Sequence, residues 1–176
     1  IIAIEILSNS QINISEKKKN HLIKILSECS GHTGIAGGQF LDLSFEKKKI
    51  SKNKIIDMEI KKTGKLFSFC CMAPAIIANK NQNVINFFQK IGSDIGLLFQ
   101  ITDDFIDASG ETKKVGKKTK KDKKKGKATL ISLLGHINTV KYVDKLKFKI
   151  FNKLKKYGTK SNNINETINY ILKRKK

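Results

Sequence analysis

A chain of 176 residues with 39% hydrophobic content is long enough for one ordinary domain with a packed core and too short to expect two. Its 36 Lys and Arg against 15 Asp and Glu give a formal charge of +21, so nucleic acid, anionic membrane surface and phosphorylated small molecules are the candidate partners. The longest apolar run, residues 66–78, falls short of the roughly 20 residues a membrane span needs, and no helix-turn-helix or aromatic-rich RNA-binding pattern accompanies the charge.

Apolar residues recur at helical spacing throughout and no alternating run competes, so the predicted fold class is all-α, as a single domain over residues 1–176. Residues 1–7 predict the last turns of a helix that starts without a cap. After a polar loop, Ser15 is placed as the N-cap of a helix carrying Leu22, Ile23, Ile25 and Leu26, with Lys18 where a capping box would want an acid. Gly31, Gly34, Gly37 and Gly38 follow. Such glycines either break a helix or let another backbone approach, and the apolar positions Ile35, Phe40, Leu41 and Leu43 running through them favour close packing. A long helix is predicted over 54–79, bent near Pro74, and another over 83–108. Three more helical patterns cover 130–134, 140–157 and 164–172, and the final KRKK reads as a solvated tail. The cysteines, Cys29, Cys70 and Cys71, are odd in number and lack metal-ligand spacing, which predicts reduced, buried thiols in a cytoplasmic protein.

The chemistry concentrates in IGLLFQITDDFIDASGETKKVGKKTKKDKKKGKAT, residues 95–129. On a helix, Gln100, Asp103, Asp104 and Asp107 differ by three or four positions and project from one face. Three carboxylates on one stripe repel one another unless a cation holds them. Oxygen donors suit a hard divalent ion, and magnesium takes one or two protein carboxylates while leaving its other positions to water and phosphate. Ten lysines then crowd residues 113–127, with Asp122 among them. A diphosphate held by magnesium carries more negative charge than one ion removes, and lysines just beyond the aspartates can close over it. Lys117 and Lys127, each preceded by a glycine that lets the backbone bend, are the two singled out.

FQITDDFID resembles the second aspartate-rich motif of the trans-polyprenyl diphosphate synthases, the family of farnesyl and geranylgeranyl diphosphate synthases. GGQFLDL, KKTGKLF, the VGK and GKAT pair and the terminal YILKRK also resemble that family in order and separation, so the likeness covers nearly the entire chain, nearest to bacterial short-chain enzymes. The resemblance implies the isoprenoid synthase fold, antiparallel helices around a central cavity, and a homodimer. It also implies a magnesium-dependent prenyltransferase that joins isopentenyl diphosphate to an allylic diphosphate such as the dimethylallyl, geranyl or farnesyl compound. Asp103, Asp104 and Asp107 match the metal ligands, and Asp103, Lys62 and Gln100 match residues that act in catalysis. Lys62, Thr63, Gln100, Lys117, Lys127, Gln39 and Asp42 match positions that bind or line the substrate site. Lys120 stands where the family commonly has glycine.

Family members carry a first aspartate-rich motif on an earlier helix, and the acids before Asp103 here are never paired. The chain therefore reads as the C-terminal part of a synthase, with the N-terminal helices and first motif missing, inactive on its own. The alternatives are a non-catalytic or regulatory subunit of a prenyl synthase and a basic nucleic-acid-binding protein. The intact Asp103, Asp104, Asp107, Lys62 and Gln100 argue against the first, and the lack of aromatics within the basic run argues against the second.

Overall fold

The computed structural model describes residues 1–109 and 126–174, all α-helical, π-helical or 3₁₀ elements and their connections, with no strand among the described residues. The predicted all-α class holds. Helices α1 (Ile2–Ser8), α2 (Glu16–Ser30), α3 (Ile35–Ser44) and α4 (Lys52–Glu59) lead into a π-helical turn, Ile60–Gly64. Then come α5 (Lys65–Ile77), α6 (Gln82–Ser109), α7 (Leu130–Leu154), a 3₁₀ stretch (Lys155–Ser161) and α8 (Asn162–Lys173).

The core is organised on α6, whose Ile91, Ile95, Leu98 and Ile101 recur at three- and four-residue spacing and are fully or almost fully buried. Against them pack Ile55 and Met58 of α4, Leu130, Val143, Leu146 and Ile150 of α7, and Ile168 and Ile171 of α8. A smaller cluster joins Leu22 of α2 to Met72 and Ile76 of α5.

Helices α5 and α6 form the most extensive pairing and run antiparallel. A Cβ on Gly92 would lie 2.3 Å from the Phe67 carbonyl oxygen, and one on Gly96 would lie 2.6 Å from the Gly64 Cα. As the number falls along one helix its partner rises along the other. These two glycines remove the side chains that would hold the backbones apart.

Several sequence expectations change in detail. The glycine segment both breaks and packs: α2 stops at Ser30 and α3 restarts at Ile35, while Gly38 lets α3 touch the π-helical turn. The helix expected over 54–79 is interrupted by that turn, and α5 runs through Pro74 to Ile77. Gly135, at φ 76°, breaks α7 where the two predicted patterns separate. Ser15 is the N-cap of α2 but its side chain makes no capping bond; Lys19 donates instead to the Asn9 carbonyl and the Glu16 carboxylate. Of the free thiols, Cys29 is buried and burial pushes Cys71 up to about 11, whereas Cys70 faces outward from α5. Arg174, expected in a solvated tail, is only 11% exposed at its side chain.

Candidate active site

Four pieces of backbone meet at one end of the α5–α6 pair. Asp42 reaches in from α3, Lys62 and Thr63 come from the π-helical turn, Gln100, Asp103 and Asp104 from α6, and Lys127 from the segment leading into α7. A π-helical turn widens the helix by one residue and re-aims the side chains on it, here Lys62 and Thr63.

Asp42 is the electrostatic centre of this group. Its side chain is 5% exposed, and its Oδ2 accepts from Lys62 Nζ at 2.5 Å with Lys127 Nζ at 3.5 Å. A carboxylate so far from water is tolerated because two cations share it. Lys127 is held by its neighbours on both sides. Gly126, at φ 68°, accepts a hydrogen bond from the Lys47 amide at 2.8 Å. On the other side, Thr129 caps α7 reciprocally with Ser132.

A second chain of contacts runs through Gln100. Its Oε1 accepts from the Thr63 hydroxyl at 2.9 Å and its Nε2 donates to Asp104 Oδ1 at 3.0 Å, so the amide is fixed in orientation and Asp104 with it. Asp104 is buried, and Asp103, on the adjacent edge of the stripe, is 44% exposed at its side chain. Arg174 donates to Asp103 Oδ1 at 2.5 Å while its guanidinium lies 4.2 Å over the Phe99 ring. Phe67 packs against Phe99 in turn, its ring tilted by 43° with centroids 5.4 Å apart.

Asp107 follows one turn after Asp104 and is half-buried. Gln39 lies exposed on α3, one turn before Asp42, and is not brought into the hydrogen-bonded group. Lys117, Lys120 and Asp122 lie outside the described residues. Among the described residues no set of three or more His, Cys, Asp or Glu side chains stands close enough together to form a ready-made metal cage.

Two participants have no role assigned from the sequence. Arg174 falls in the terminal YILKRK motif, which gives it no function, and Glu59 resembles any charged residue of a helix. Yet Glu59 is 1% exposed, and neither carboxylate oxygen reaches a hydrogen-bond partner. Burial pushes its carboxyl well above the ordinary value of 4.5, and the charges of Asp104 and Asp42 raise it further. Lys62 opposes the rise, as does the neighbouring Leu130 amide.

An acid raised in this way stabilises the fold fully only below its ordinary value, and that contribution is lost as the pH climbs through the native value. Replacing Glu59 with glutamine removes the titration. Glu59→Gln is therefore expected to gain stability over the unsubstituted protein as the pH rises above the ordinary carboxyl value, read as diverging thermal midpoints; parallel midpoints would show that the carboxyl is not shifted.

The polyprenyl synthetase family profile matches residues 1–171. Farnesyl diphosphate synthase of Micrococcus luteus is 33% identical over 174 residues, 99% of this chain and 59% of that protein. The Escherichia coli enzyme of the same name is 33% identical over 136 residues, 76% of this chain and 46% of that protein. Among solved structures, an FPP/GFPP synthase from Zymomonas mobilis superposes with a TM-score of 0.82 at 31% identity, over 97% of this chain and 56% of that one. A geranyltransferase from Helicobacter pylori, complexed with magnesium and isoprenyl diphosphate, gives 0.81 at 29% identity, over 97% and 55%. The chain spans about half to three fifths of the length of these relatives. With its helices in the isoprenoid synthase arrangement and the match running almost end to end, the chain belongs to the polyprenyl synthetase family.

Proposed function

We propose that the protein to which this chain belongs condenses an allylic diphosphate with isopentenyl diphosphate. The observation that carries the reading is the convergence of Lys62 and Lys127 on one buried aspartate beside the ordered Gln100–Asp104 pair, at the aspartate-rich end of α6.

Lys62 and Lys127 exchange Asp42 for the oxygens of the allylic diphosphate, which carries more negative charge than one carboxylate. The allylic C–O bond breaks and its electron pair leaves with the diphosphate. The double bond of isopentenyl diphosphate then attacks the allylic cation, and loss of a proton completes the product. Thr63 and Gln100 keep Asp104 aimed while this happens. The donor set is all oxygen, with Asp103 half-exposed, which fits magnesium, and Asp103, Asp104 and Asp107 would hold it. When bound, it would neutralise charge on the departing diphosphate. The Helicobacter pylori relative, complexed with magnesium and isoprenyl diphosphate, supports that choice.

Phe40, 71% exposed, and the exposed Leu43 and Leu66 leave apolar faces on α3 and α5, which supports contact with the rest of the protein or with a second copy in a homodimer. The free cysteines support a cytoplasmic location. No helix among the described residues is long and apolar enough to cross a membrane.

The direct test is to incubate the full-length protein with magnesium, isopentenyl diphosphate and each allylic starter, then look for a prenyl diphosphate one isoprene unit longer. Residues 1–176 alone, which carry a single aspartate-rich motif, are expected to give none. Absence of product from the full-length protein with every starter would sink the reading. Within an active enzyme, Lys62→Ala is expected to raise the KM for the allylic diphosphate roughly tenfold to a hundredfold, the worth of one charge-assisted hydrogen bond. An unchanged KM would place the diphosphate elsewhere.

A further inference from the structure

Glu59 has no part in the reaction as described, yet it is among the most deeply buried polar side chains of the protein and sits against the substrate lysines. Buried carboxyl oxygens are almost always hydrogen-bonded, so one with neither oxygen paired to protein points to a small ligand. A cavity lies beside it, lined by Glu59, Asp42, Lys62, Gln100, Asp104 and Lys127 among others. Its free volume is about 10 Å³, the room of one water molecule, and its polar walls offer the several partners that a buried water needs.

We propose that Glu59 is a positioning residue for diphosphate binding, acting through one structural water that ties its carboxyl to Asp42. The inference deepens the proposed function and rests on it for the identity of the substrate.

Asp42 is comfortable while Lys62 and Lys127 are on it. When both lysines turn to the diphosphate, a buried carboxylate loses its two cations at once. A water that donates to Asp42, and is itself held in place by Glu59, keeps Asp42 hydrogen-bonded through the exchange. Glu59 touches no reacting atom; it lowers the cost of releasing the lysines.

The hydrogen-bonding capacity of Glu59 then matters more than its charge. In the full-length enzyme, Glu59→Gln keeps a polar group facing the water and is expected to hold the KM for the allylic diphosphate within about twofold. Glu59→Leu, of similar bulk, strands Asp42 and is expected to raise that KM roughly tenfold with little change in kcat. A purely structural role would lower the thermal midpoint in Glu59→Leu without splitting KM from kcat, and that outcome overturns the proposal.

A second measurement is independent of activity. A crystal structure of the full-length protein is expected to show one ordered water within hydrogen-bond distance of both Glu59 and Asp42. A dry cavity, or a Glu59 carboxyl bonded directly to protein, overturns the proposal even in an active enzyme. If the protein makes no prenyl diphosphate at all, the proposed function fails, while the water still decides whether Glu59 and Asp42 are joined.

Discussion

On the proposed function, Asp103→Ala in the full-length protein is expected to cut turnover about 10²- to 10³-fold, the scale seen when one preorganised electrostatic group is removed from a site where charge develops. The fold should survive it. The Asp103 side chain is 44% exposed, so its pair with Arg174 is well screened and contributes less than about 1 kcal/mol. Arg174 loses that partner but keeps its stacking on Phe99. Asp103→Asn, which preserves shape and removes charge, should fall nearly as far in turnover, because an amide is a poor magnesium ligand. Steady-state kinetics beside thermal unfolding separate the two effects. Either variant turning over at the unsubstituted rate would remove Asp103 from the metal site.

Gly38→Ala is expected to damage stability and binding together, although it adds one methyl group. The new Cβ would lie 2.2 Å from the Lys62 amide nitrogen and 2.5 Å from the Lys62 Cα. Both are backbone atoms inside a helical turn, so α3 and that turn must separate. Overpacking of this kind costs about 1–3 kcal/mol. The same separation pulls Asp42, one turn along α3, away from the Lys62 ammonium that it holds. A lowered thermal midpoint with a raised KM for the allylic diphosphate is the expected pair of results. A variant that loses stability and keeps its KM would show that α3 yields without disturbing the lysine.

The stripe on α6 was legible because its evidence is local: three- and four-residue spacing places Gln100 and Asp104 on one face whatever surrounds them. Lys62, Thr63 and Asp42 were legible only through family resemblance, since a lysine and an aspartate twenty positions apart have no periodic relation. The π-helical turn that aims Lys62 and Thr63 was not legible. It sits where α3 crosses at Gly38 and α6 at Gly96, contacts that tertiary structure brings about. Glu59 was hidden for a related reason, because its burial depends on elements as distant in sequence as α3 and the start of α7. Gln39, named by the same motif as Asp42, lies exposed on α3 outside the hydrogen-bonded group.

The glycine seam between α5 and α6 also bears on the order in which the site assembles. The two helices are joined by a short connection, so their pairing closes a small loop at little entropic cost. Once the seam zips from Gly92 toward Gly96, Thr63 and Gln100 meet with no help from the rest of the chain. Lys127 and Arg174 must each return across longer stretches and arrive later. Pulsed hydrogen exchange during refolding should accordingly find amides of α5 and α6 protected ahead of those in α7 and α8. The half of the site that orients Asp104 would then be a template onto which Lys127 and Arg174 are laid.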